Sequence, residues 1–240
     1  MLTKNVLTAT ISLLILLTRT LSAQNDNQIP LQKTSKIKLL NTEDFKHADI
    51  GNPAIAGTVT VSNGGFDITA GGADVWGVKD EFNFVYIEKT GDFDFVARVE
   101  SLTAIHQYTK AGLMAREGLT PGSRHIYFQI FPNNMPRNKN NGGFEFQYRQ
   151  VKDGEMKAIY PIRFEGTPDF PVTFPNTWIR LKRQGNKFIG YTGTDGKLWK
   201  EYATFTLDLP EKVYLGAAVT SHKITEITTA KFRNIGNILK

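Results

Sequence analysis

Apolar and polar positions alternate with a period of two along most of this chain. "FDFVARVES" puts Phe93, Phe95, Ala97 and Val99 on one side and Asp94, Arg98 and Glu100 on the other. "HIYFQIF" groups Ile126, Phe128 and Ile130; "GFEFQYR" groups Phe144, Phe146 and Tyr148; "WIRLKR" sets Ile179 and Leu181 opposite Arg180 and Lys182. Such segments predict half-buried strands with one polar face. Asp-Gly pairs in "VKDGEM" and "GTDGKLW", and the "RQGNKF" segment, fall between strand-like runs. They read as hairpins, because tight hairpin turns need positive φ. No amphipathic helix follows residue 24. Closely spaced strands with this turn chemistry predict an all-β fold, a sandwich of two antiparallel sheets.

Two stretches break the alternation. "PNNMPRNKNNGG" (residues 132–143) has no apolar period and is expected to be a mobile loop. "FEGTPDFPVTFPNT" (164–177) carries three prolines and is expected to be extended, outside any central strand.

The first residues change the picture. "MLTKN" supplies Lys4, "VLTATISLLILLT" is an apolar run of about 13 residues, and "RTLSA" ends in small side chains. A membrane span needs roughly 20 apolar residues, so residues 1–23 are expected to be a cleaved signal peptide. Residues 24–36 then form a flexible polar lead and 37–240 a single domain, exported to the periplasm or exterior of a bacterial cell. No second long apolar stretch follows. Cysteine is absent, which excludes disulfides and thiolate metal sites. The net charge is +6, and loss of Lys4 and Arg19 with the leader leaves +4. Basic and acidic residues are interspersed, which excludes the clustered patch that nucleic-acid binding needs.

The segments "DIGNP", "GGADVWG", "DEFNFVYIEKTGDFDFVARVES", "KAGLMARE", "FEFQYR", "WIRLKRQGNKFIGYTGTDGKLW" and "VYLGAAVTSH" occur in that order between Asp49 and Ile235. Together they resemble the regulation-of-enolase-protein domain family of the concanavalin A-like lectin/glucanase superfamily, a family largely of unknown function. The resemblance implies a jelly-roll sandwich. It does not imply a ligand, because this fold hosts binding modules, hydrolases and lyases.

Glucanases of this fold carry two carboxyl groups on alternate positions of one strand, an E-x-D-x-E type of pattern. Retaining glycosidases need them about 5–5.5 Å apart. The nearest look-alike here presents Glu145, Gln147 and Arg149, of which only one is acidic, so no catalytic residue is assigned. His47, His106, His125 and His222 have no metal-ligand spacing, so neither metal nor cofactor is expected.

The remaining candidate is a binding face. If the strands carrying "KAGLMARE", "IYFQIF" and "FEFQYR" are neighbours, their polar sides merge. Arg116, Tyr127, Gln129, Glu145, Gln147 and Arg149 then share one surface, the plain alternative being a solvated face with cross-strand pairs. Amide and charged groups of this kind grip sugar hydroxyls, and arginine can also clasp the carboxylate of a uronic acid. Trp76, between glycines and outside any clean alternation, is either a platform for a sugar ring or a wedge at the sandwich rim. His222, at a strand end, completes the expected ligand set. The function this predicts is non-catalytic carbohydrate binding, with a polysaccharide or glycan as partner. A hydrolase or lyase on the same fold and a cell-envelope protein-interaction module are the alternatives.

Overall fold

β-Branched and aromatic residues at every second position give strands, and the computed structural model is built almost wholly of them. It describes residues 34–135, 137, 143–161 and 169–239. The chain divides into the units Met1–Gln32 and Lys33–Lys240. The expected signal peptide and most of the lead lie outside the described residues, as do parts of the two irregular loops. In chain order the strands are β1 (Lys36–Leu39), β2 (Lys46–Ile50), β3 (Thr58–Ser62), β4 (Gly65–Ala70), β5 (Val75–Trp76), β6 (Lys79–Asp80), β7 (Phe82–Thr90), β8 (Phe93–Leu102) and β9 (Lys110–Arg116). They continue with β10 (His125–Ile130), β11 (Phe144–Arg149), β12 (Met156–Ile159), β13 (Thr177–Gln184), β14 (Lys187–Gly193), β15 (Lys200–Thr206), β16 (Lys212–Thr220) and β17 (Thr228–Leu239).

Two large antiparallel sheets pack face to face as a jelly-roll sandwich. One runs β15-β14-β13-β8-β17-β4-β3, with β1 also paired to β17; the other runs β12-β11-β10-β9-β16-β7-β2. The three anticipated hairpins are β11–β12, β13–β14 and β14–β15, and their turns carry positive φ at Asp153, Gly185 and Gly196. The core between the sheets is the set that alternation selects. Phe66, Phe95, Val99, Ile179 and Phe232 come from the first sheet, and Leu113, Phe128, Phe146, Leu215 and Val219 from the second.

The outer faces differ. On the first sheet, charged side chains pair across strands: Arg180 Nε and Nη2 donate to Asp94 at 2.6 and 2.7 Å, and Arg233 Nη2 lies 2.7 Å from Asp67 and 3.2 Å from Glu100. On the second sheet β9 and β10 are buried along both faces. The expected half-buried pattern is therefore corrected for these strands. The segment from Gly71 to Glu81 folds over them, and a second apolar cluster of Ile50, Val75, Phe82, Phe84, Met114, Tyr127 and Met156 forms beneath it.

Candidate functional site

The strands β9, β10 and β11 are neighbours, so the polar positions do share one face. Their register aligns His125 with both Arg116 and Arg149, Tyr127 with both Met114 and Gln147, and Gln129 with both Gly112 and Glu145. Rows of like-facing side chains thus run across the sheet, and the two ends of the face have opposite fates.

At one end, Arg116 and Arg149 are 0% exposed. Both converge on Asp80, itself 0% exposed, which arrives from β6 above the sheet. Arg149 Nη1 and Nη2 donate to Asp80 at 2.7 and 2.8 Å, and Arg116 Nη1 donates at 3.3 Å. Backbone carbonyls of Gly118 and Thr120 accept from Arg116, and those of Gly77, Pro121 and Gly154 accept from Arg149. A buried charge is tolerable only when paired and hydrogen-bonded in this way. Burial pulls the Arg116 guanidinium down to about 10. His125 lies in the same cluster and is driven to about 3 by burial, against the opposing pull of Asp80 and with help from both arginines, so the ring is neutral. Its Nδ1–H donates to the Ser123 carbonyl at 2.9 Å. Arg116 and Arg149, expected on an open binding face, are sealed inside.

The cluster also holds a two-stranded hairpin, β5–β6, over the sheet. Asp80 N donates to Pro121 O at 3.1 Å, Met156 N donates to Gly77 O at 2.9 Å, and Glu81 N donates to Asp74 O at 2.7 Å. Gly72 makes the entry to this hairpin possible. Its φ is +112°, and a Cβ there would sit 2.1 Å from the Glu81 carbonyl oxygen. Trp76 rides on the hairpin, 39% exposed, with its ring 5.5 Å from Lys110 Nζ.

The other end is open. A groove of about 240 Å³ is lined by Asp74, Trp76, Tyr108, Lys110, Glu145, Gln147 and His222. Lys110 Nζ donates to Asp74 Oδ1 at 2.6 Å and to Val75 O at 3.1 Å. His222 Nδ1 lies 3.1 Å from Asp74 Oδ2. Burial alone would raise the Asp74 carboxyl, but Lys110 and His222 outweigh it and hold the carboxyl below its usual range. Glu145 is shifted the other way, chiefly by burial. Gln147 Nε2 donates to Glu145 Oε1, and Gln129 Nε2 approaches the same oxygen at 3.5 Å. The carbonyl oxygens of both amides are buried, with no partner among the described residues. An aromatic wall closes the far side. His106 stacks on His222 with ring centres 4.4 Å apart, and Tyr108 lies 5.6 Å from His222 and 5.8 Å from Phe131. Among the described residues no group of three His, Cys, Asp or Glu side chains converges to hold a metal ion.

Four of the eight anticipated residues therefore line the groove: Trp76, Glu145, Gln147 and His222. Gln129 lies behind Glu145. Tyr127 is fully buried, and its hydroxyl donates to Ala218 O at 2.9 Å. Asp74, Tyr108 and Lys110 escaped the sequence reading. Lys110 was within reach, since the alternation that selects Gly112, Met114 and Arg116 continues back to it. Asp74 lies two residues before Trp76 in a segment already singled out. Tyr108 sits in a loop and carries no periodic signal. His222 reaches the groove through a chain reversal after β16, where its φ is +60°.

Neither a family model nor a curated protein matches the chain. Solved structures do. The chain is similar to a functionally unknown protein from Saccharomyces cerevisiae, with a TM-score of 0.58 at 12% identity over 82% of this chain and 97% of that one. It is similar to carbohydrate binding module CBM66 from Bacillus subtilis, with a TM-score of 0.50 at 12% identity over 80% and 93%. It is also similar to a GH43 protein from Bacillus licheniformis, with a TM-score of 0.51 at 9% identity over 83% of this chain and 40% of that one. At such identities the likeness is one of fold, of the concanavalin A-like lectin/glucanase type.

Proposed function

We propose that this chain is an exported, non-catalytic carbohydrate-binding protein of the family its ordered motifs resemble, and that it holds its ligand in the groove beside Trp76. The observation that carries the reading is the pairing of a half-exposed indole ring with the buried, partnerless Gln147 carbonyl oxygen in one groove. A sugar ring meets both demands, with C–H faces for the indole and hydroxyl donors for the amide. The likeness in fold to a carbohydrate binding module supports it. Among the described residues no helix is long and apolar enough to cross a membrane.

A hydrolase or lyase is the second reading. It is favoured by two carboxyl groups of one groove, Asp74 and Glu145, being pushed in opposite directions, a pattern that acid–base pairs share. One experiment separates the two. The protein is titrated calorimetrically against a panel of polysaccharides, and each mixture is assayed for new reducing ends and unsaturated products. Heat without product supports the binding protein. Product that disappears in Glu145→Gln establishes the enzyme. Silence across the panel removes both and leaves the protein-interaction module.

A further inference from the structure

We infer that the groove selects neutral, hydroxyl-rich sugar residues and excludes uronates. The inference rests on the sugar-binding reading above and deepens it.

The first argument is the balance of donors and acceptors. The Gln147 amide nitrogen faces the Glu145 carboxyl, as amide N–H beside an acceptor must, and this turns the amide oxygen away with nothing to accept from. Gln129, on the neighbouring strand, repeats the arrangement. A buried acceptor without a donor is costly, and a ligand that supplies the donor recovers that cost. A sugar hydroxyl donates. An ionised carboxylate only accepts, so where it takes the place of a hydroxyl beside the amide oxygen it leaves that oxygen unpaired and adds a second acceptor.

The second argument is that, among the described residues, the cations around the groove are already engaged. Arg116 and Arg149 are spent on Asp80 and have no exposed surface. Lys110 is spent on Asp74 and the Val75 carbonyl, and His222 flanks the same carboxylate. Arg137, whose guanidinium stacks 4.3 Å from the Phe131 ring, donates to Gln107 O, Asn133 O, Met135 O and Asn133 Oδ1. Glu145, when ionised, opposes an anion. The face of the Trp76 indole carries the negative side of its quadrupole and disfavours an anion as well.

The test uses polymers of one backbone that differ only in whether the carboxyl is free or masked as its methyl ester. Fully methyl-esterified galacturonan and its saponified galacturonate are titrated into the protein, alongside uncharged glucan, galactan and mannan and anionic alginate. Each titration is run at about 50 and about 500 mM NaCl, where exposed charges are weakly and strongly screened respectively. Binding is expected only within the uncharged set, with a Kd that changes less than about twofold between the two salts. Gln147→Met, which removes the orphan acceptor at similar volume, is expected to weaken binding about 3–10-fold without creating affinity for the acidic polymers. Tighter binding of galacturonate or alginate than of uncharged polymers, or affinity that falls steeply with salt, overturns the inference and leaves sugar binding standing. Absence of binding to every polymer overturns sugar binding itself, and the inference with it. The wild-type titrations decide between these outcomes even if the variant does not fold.

Discussion

The two ends of one sheet face carry similar residues and have different fates. His125 aligns with Arg116 and Arg149, and four residues along the same strand Gln129 aligns with Glu145. Both rows come from the same alternation, about 13 Å apart along the strand. Over the first row the β5–β6 hairpin lowers Asp80, and two arginines that would suit a carboxylate ligand receive an internal one instead. Over the second row no described residue plays the part of Asp80, and the Gln147 oxygen has no partner among the described residues. The difference teaches that a residue's type and facing do not make it a binding residue. What decides is whether the chain itself supplies the partner. The two ends are also linked, because the Asp80 cluster anchors the hairpin that presents Trp76 to the groove.

The strongest way to break this comparison is Asp80→Asn. Removing the charge leaves two guanidinium groups buried without their counter-ion, a change that costs about 3–5 kcal/mol in comparable pairs. The expected melting temperature is lower by roughly 6–20 °C. A variant that melts like the wild type would show that the closed end is not held by its ion cluster. Trp76→Ala tests the open end. Affinity for a bound polysaccharide is expected to fall about tenfold, the scale of a lost aromatic contact, with the melting temperature nearly unmoved. A large loss of stability instead would assign Trp76 to the closed end, as packing.

Two pH profiles sharpen the contrast. In the closed end His125 has a folded value of about 3 against 6.5 for the free side chain. As pH falls below 6.5 the unfolded chain takes up this proton first, so stability is lost from pH 6.5 down towards 3. His125→Asn is expected to flatten that slope in melts run across this range. In the open end Glu145 has a folded value raised above 4.5, chiefly by burial. Its contribution has the opposite sign: it is fully present below 4.5 and is lost as pH rises through the folded value. Glu145→Gln is expected to remove this smaller decline and to leave the variant slightly more stable than the wild type at neutral pH. Opposite slopes in the two variants would show that the two ends titrate independently.

Much of the architecture was legible before any coordinates. Phe93, Phe95, Ala97 and Val99 reach the core because strand geometry turns every second side chain the same way, and Asp153, Gly185 and Gly196 mark turns because those turns need positive φ. The face shared by Arg116, Tyr127, Gln129, Glu145, Gln147 and Arg149 follows from the same alternation once the three strands are adjacent. Four of the seven groove residues were legible too: Trp76, Glu145, Gln147 and His222. The fate of the two arginines was not. Asp80 is 36 residues from Arg116 and 69 from Arg149, and no period relates them. Tyr108 and His222 meet across a still longer separation, through two loops.

By itself the sequence determined the fold class and, in the strands it marked, which side chains face the same way, because these depend on local backbone geometry and on apolar burial at a fixed period. Only the tertiary structure decided which outward side chains line the groove and which meet Asp80. That choice depends on where the short β5–β6 hairpin lands on a sheet distant in sequence, and long-range electrostatic pairing leaves no local pattern to read.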